Sequence, residues 1–381
     1  MNEKFYVLTL VPACFLWLSI PVFGHETAEH LDPELLTGWR TWLHLTLQWV
    51  HLLAFALWMG LTAGTLFLRL EASLDHLLYS SWVLFLVMLA TGAYNSEWSA
   101  GISDKPSLFL LPVLGKVPYG ITYTIALGVK VGLYGLTVLM TLIITVKHLR
   151  CRMREAALRK TFLTAGSALG VLMALAAAVV LFYHEVADIW PNEVHSLGGV
   201  MGPDGPLGRV ESIAGESFPN DFQLLETKDA WIDIGIRWFH LLGFGLWLGG
   251  TAMAAVFGSV SPKRFLQYSW TAITIQILSG IANMERWTPF YLSPYFWNST
   301  ALAHIRFGAS YTVFMTMKHI LVLAVIALIA SQTYQHLKAS RKAQDFVSFR
   351  PYLVIETILG LAIAYIMIIV LLLHEGVDHA L

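Results

Sequence analysis

Residues Trp49 to Gly60 read WVHLLAFALWMG, and residues Trp238 to Gly249 read WFHLLGFGLWLG. An internal repeat constrains a fold more than any local propensity does, because the unit built by one copy must also be built by the other. The likeness runs well beyond this stretch, since residues 188 to 190 positions apart match again and again. His51 pairs with His240, Trp58 with Trp247, Trp82 with Trp270 and Gly92 with Gly280. Further on, Asn95 pairs with Asn283, Glu97 with Glu285, Tyr123 with Tyr311 and Lys130 with Lys318. His148 pairs with His336, and His184-Glu185 with His374-Glu375.

The repeated unit is a membrane unit. The chain of 381 residues is 56% hydrophobic and 13% charged, with mean hydropathy +0.63, whereas soluble domains carry about 25% charged residues. Eight apolar segments follow one another at roughly 40–70, 78–97, 119–148, 161–187, 230–258, 265–284, 307–336 and 351–374. Each is long enough to cross about 30 Å of hydrocarbon. The expected fold is therefore all-α and polytopic, with eight transmembrane helices arranged as two four-helix bundles. The first repeat spans 36–187 and the second 230–381, with a linker at 188–229. An even number of helices per unit gives both copies the same orientation, so the repeats are parallel and related by an axis along the membrane normal.

Lys and Arg in short loops set the orientation. The links Lys147 to Lys160 and Lys338 to Arg350 are basic, as are those at Arg69 and at Lys263-Arg264. These links are expected on the cytoplasmic side of a bacterial inner membrane, with both ends of the mature chain and the 188–229 linker on the periplasmic side. Residues 1–24 carry Lys4, an apolar run and Pro21 before the polar HETAEH, the pattern of a signal peptide or a short N-terminal anchor. Cys14 and Cys151 lie in different settings and form no CxxCH signature, so neither a disulfide nor covalently attached haem is expected. No basic patch points to nucleic acid.

Ionisable side chains inside such helices are costly and mark function by default. His51, Lys130, His184, Asn95 and Glu97 all fall in the outer half of their unit, and His240, Lys318, His374, Asn283 and Glu285 repeat them. Four-helix bundles build cofactor sites from residues on facing helices. Two histidines from different helices in an apolar setting suit axial ligation of haem b. The expected pairs are His51 with His184 and His240 with His374, for one or two haems per chain; hydrogen-bonded helix contacts are the plainer alternative. Lys130 and Lys318 need a counter-charge, which a haem propionate or Glu97 and Glu285 would supply. The glycines beside the histidines admit either a flat macrocycle or a close helix neighbour. His148 and His336, at the inner helix ends, read as capping or snorkelling residues. Two features do not repeat: His44 faces Asp233 in the alignment, and His319 faces Val131.

The pattern W-x-H-L-L-x(4)-W-x-G, the Ser-Trp helices that end in glycine (Ser81-Trp82 to Gly92, Ser269-Trp270 to Gly280) and the following Tyr-x(6)-Lys together resemble the copper-resistance protein D (CopD) superfamily. HemJ-type protoporphyrinogen oxidases and membrane urate oxidases are similar at greater distance. The resemblance covers about 100 residues of each half. It implies that a first-helix histidine and a third-helix lysine, here His51 with Lys130 and His240 with Lys318, serve haem b. The resulting expectation is a b-type cytochrome carrying electrons between the quinone pool and a periplasmic cytochrome c or other redox subunit, as part of a larger complex. The alternative is copper transport or resistance. Soft Cu(I) favours thiolate and thioether ligands, and the 12 methionines form no MxxM ladder. No hydrolytic motif is present.

Overall fold

The computed structural model describes residue 36 and residues 39–98, 120–150, 155–186, 223–258, 260–287, 307–342 and 349–378. The 1–24 segment and most of the 188–229 linker lie outside them, as do both cysteines. Among the described residues every regular element is helical. Helix α1 (Trp39–Met59) continues through one π-helical turn, Gly60–Gly64, into α2 (Thr65–Leu68). Then come α3 (Leu74–Trp98), α4 (Gly120–Arg150), α5 (Glu155–Val186) and the short α6 (Gln223–Glu226). The last four are α7 (Lys228–Phe257), α8 (Pro262–Trp287), α9 (Gly308–Lys342) and α10 (Arg350–Asp378).

Seven stretches among these helices are long and apolar enough to cross a bilayer. The exception is α8. At 26 residues it is long enough, but Lys263, Arg264, Gln267, Gln276, Asn283, Glu285 and Arg286 lower its hydropathy. The chain is thus a multi-pass membrane protein by the length and composition of its helices.

Local chemistry sets the helix ends. The Thr227 hydroxyl accepts from the Ala230 N–H at 3.3 Å and caps α7. Gly258 closes the same helix at φ 71°, with its N–H on the Ala254 carbonyl at 2.9 Å. The corresponding closure after α2 is made by Arg69 at φ 55°, a left-handed conformation that a side chain disfavours.

Packing places α1 and α7 at the centre. They cross at the glycines of the repeated motif. A Cβ on Gly60 would run into the Gly249 carbonyl, and one on Gly249 into the Ala56 carbonyl and to 2.7 Å from the Gly60 nitrogen. One turn further, a Cβ on Gly64 would stand 2.9 Å from the Gly250 Cα. Small residues let two backbones approach this closely, and dispersion between the helices is the return. Around the crossing, α3 packs on α1 and α8 on α7, while α4 packs on α5 and α9 on α10. The two halves share one core, because α5 also lies against α7 and α10 against α1. The contacts are reciprocal: Trp49 Nε1 donates to the Leu361 carbonyl at 3.2 Å, and Trp238 Nε1 to the Val171 carbonyl at 3.1 Å. Helices α4 and α9 are peripheral, burying only 17% of their most apolar windows. Their exposed Val129, Leu136, Leu139, Ile320 and Leu323 suit contact with lipid.

Candidate functional site

The crossing fixes the height of the two motif histidines. His51 and His240 each precede their crossing glycine by nine residues, so each ring stands about 14 Å along its helix from Gly60 or Gly249. The other end of the molecule collects the basic side chains. There the Arg159 guanidinium donates to the Leu70 carbonyl at 2.5 Å, and His148 Nε2 meets Asp75 at 2.8 Å. His148 therefore ties α4 to α3, in line with a structural role.

Each motif histidine sits against the glycine of the next long helix. A Cβ on Gly92 would lie 3.1 Å from His51 Cε1, and one on Gly280 3.2 Å from His240 Cε1. The residue before each glycine carries a hydroxyl. His51 Nδ1 lies 3.0 Å from Thr91 Oγ1, and His240 Nδ1 lies 3.1 Å from Ser279 Oγ. These hydroxyl protons are already committed to the backbone, Thr91 to the Val87 carbonyl at 2.7 Å and Ser279 to the Ile275 carbonyl at 2.6 Å. The oxygens must then accept, so each ring carries its proton on Nδ1 and turns the lone pair out on Nε2. A hydrogen bond that fixes the tautomer in this way is the usual support for a metal-binding imidazole.

Beyond that point the halves differ. Gln276 Nε2 lies 2.9 Å from His240 Nε2 and donates into its lone pair. The corresponding residue on α3 is Met88, buried among Ala54, Trp58 and Phe85. Among the described residues, His51 Nε2 has no hydrogen bond. No described group takes the His51 lone pair, whereas Gln276 takes that of His240. Gln276 has to swing away before His240 can bind iron, so the second site does not fit a haem as it stands.

Lys130 and Lys318 each stand ten residues into their helix, on α4 and α9, and each bears electrostatically on the nearby motif histidine. Among the described residues neither has a carboxylate partner; Lys318 Nζ makes only a 3.8 Å contact with Met367 Sδ. The alternative counter-charges, Glu97 and Glu285, lie on α3 and α8 with side chains outside the described set, and so do His184 and His374 on α5 and α10. Asn95 and Asn283 lie one turn beyond Thr91 and Ser279, on the same helical face. The buried Asn283 Oδ1 is hydrogen-bonded to none of the described groups. His44 is tied to its own helix through Gln48 at 2.8 Å.

The glycine alternatives separate here: Gly60, Gly64, Gly249 and Gly250 are filled by helix contact, while Gly92 and Gly280 accommodate the imidazoles. Sequence reading missed Thr91, Ser279, Gln276 and Met88. The available signal was the hydroxyl residue preceding each repeated glycine. Among the described residues no three His, Cys, Asp or Glu gather as a metal-ion site. Comparison with protein-family models, curated proteins and solved structures returns no match.

Proposed function

We propose that the chain is a membrane-embedded b-type cytochrome, built as a tandem parallel duplication, with its working haem in the first unit. One observation carries this reading: the His51 ring is locked as the Nδ1–H tautomer by Thr91, and no described group engages its Nε2 lone pair. A bound haem would supply a one-electron iron couple within the bilayer. His51 would bind the iron through Nε2, and His184 is the proposed second ligand. Lys130 would neutralise a propionate or a reduced quinone, which answers the energetic problem of an ammonium in hydrocarbon. Thr91 orients the imidazole, and Gly92 leaves room for it. In the second unit His240, held at both nitrogens by Ser279 and Gln276, acts as a structural residue. With the basic end cytoplasmic, the site lies toward the periplasm, where it would exchange electrons between the quinone pool and a periplasmic redox partner.

The test is a dithionite-reduced minus oxidised spectrum with a pyridine haemochrome count on the detergent-purified protein. One b-type haem per chain is expected, lost in His51→Ala and retained in His240→Ala. Absence of haem from the wild type defeats the proposal, and loss in His240→Ala alone defeats the choice of unit. Copper is the second reading, because Met88 places a thioether at the register where Gln276 meets His240. Metal analysis of the same sample distinguishes them.

A further inference from the structure

A polar seam between α9 and α10 distinguishes the second half of the chain from the first, far from the motif histidines. Glu356 lies six residues into α10, about 9 Å from the basic end, within an apolar span and with no exposed surface. Gln332 of α9, also fully buried, donates to its Oε1. Among the described residues, Glu356 Oε2 and Gln332 Oε1 have no hydrogen-bond partner. Among the described residues no Lys, Arg or His pairs with this carboxyl. An ionised carboxylate in such a place has no compensation for its lost hydration. The carboxyl is therefore held neutral, with its proton on Oε2.

One turn nearer the basic end, Tyr352 of α10 and Gln335 of α9 form the next rung: Gln335 Nε2 donates to the Tyr352 hydroxyl at 3.0 Å. Gln335 also reaches Ser331 at 3.4 Å. The first half is apolar at these places, with Ile144, Phe162 and Gly166 where Gln332, Tyr352 and Glu356 stand. Gly166 is backed by Thr62, whose hydroxyl donates to the Trp58 carbonyl at 3.0 Å. Thr251, the matching residue of α7, has a buried hydroxyl with no partner among the described residues. The seam thus combines an acid without a described counter-charge, a buried amide oxygen without a described partner, and a polar rung leading toward the basic links.

We propose that Glu356 and Gln332 form a proton-binding site, loaded and unloaded through the α9–α10 seam past Tyr352 and Gln335. The proton leaves Oε2 for water entering along that rung and returns by the same route, with no oxidant or reductant involved. Gln332 of α9 contacts the carboxyl directly; one helical turn nearer the basic end stand His336 on α9 and Tyr352 on α10. Between His51 and Arg69, and between His240 and Gly258, α1 and α7 supply no titratable side chain.

Infrared spectroscopy of the purified protein in H2O and D2O tests this, alongside carbodiimide labelling, which adds to protonated carboxyls in apolar surroundings. The expected result is a carboxylic C=O band at neutral pH that shifts in D2O and is missing in Glu356→Gln, with carbodiimide mass on the wild-type peptide containing Glu356. Labelling should fall as pH rises. Absence of both the band and the label means an ionised carboxylate and overturns the proposal. A band that ignores D2O means a sealed structural acid and overturns it too, as does a band that appears only when Na+ is removed, which makes the occupant a cation. The infrared and labelling results on the wild type stand even if Glu356→Gln fails to fold.

Discussion

Gly249→Ala is the sharpest test of the crossing. The added Cβ would meet the Ala56 carbonyl and stand 2.7 Å from the Gly60 nitrogen, against an ordinary carbon contact of about 3.5–4.0 Å. Both obstacles are backbone, so no side chain can rotate away. Helices α1 and α7 must part by about 1.5 Å to restore ordinary contact, loosening the contacts that α5 and α10 make across the halves. Overpacking of this kind costs about 1–3 kcal/mol, occasionally more, and the central position argues for the upper end. About 3 kcal/mol is roughly a hundredfold in the folding equilibrium. Ala instead of Gly in a helix returns about 1 kcal/mol or less, which does not offset it. The assay is reversible unfolding in mixed micelles by denaturing detergent, with Gly128→Ala and Gly132→Ala as controls, since a Cβ at either meets no neighbour. The controls should be neutral or stabilising. If Gly249→Ala unfolds with the controls, the α1–α7 crossing is not where the core is held.

Thr91→Val should keep the fold and lower haem affinity about 10–100-fold, the usual penalty for losing the partner of a ligating histidine, read by haem titration of the apoprotein. Gln276→Met, which copies Met88 into the second half, should release His240 Nε2; a second haem in the haemochrome count is the expected gain. Trp49→Phe and Trp238→Phe each remove one inter-half hydrogen bond and should each cost about 1 kcal/mol in the same micelle assay. Arg69→Gly relieves a left-handed residue at φ 55° and should stabilise by about 1 kcal/mol.

The sequence made the helices legible because an apolar run of membrane length has few alternatives once its backbone must satisfy itself. It also placed His51, Lys130 and their counterparts at matching depths. What it could not supply was lateral packing. Glycines at positions 60 and 92 look alike in a string, yet one meets a helix backbone and the other an imidazole. Gln276 passed as one more polar residue on α8, since only the three-dimensional approach of α8 to α7 shows it on the His240 lone pair. Glu356 was a harder miss: a single acid in an apolar run has no partner visible in sequence, because Gln332 lies on another helix.

These particulars set the two halves apart in one direction. At the His51 site the first half keeps a thioether register and an imidazole nitrogen that no described group engages, and near its basic end it has Ile144, Phe162 and Gly166. The second half fills the imidazole nitrogen with an amide and opens its basic end with Gln332, Tyr352 and Glu356. Duplication alone would leave both properties in both copies. On the two proposals, the haem site and the proton site fall in different units and toward opposite ends of the helices. The α1–α7 crossing joins the two units at the glycines. The division can be read directly: His51→Ala should abolish the haem spectrum and leave the Glu356 carboxylic band, while Glu356→Gln should remove the band and leave the haem. If either substitution abolishes both signals in folded protein, the two units are a single site and the division is wrong.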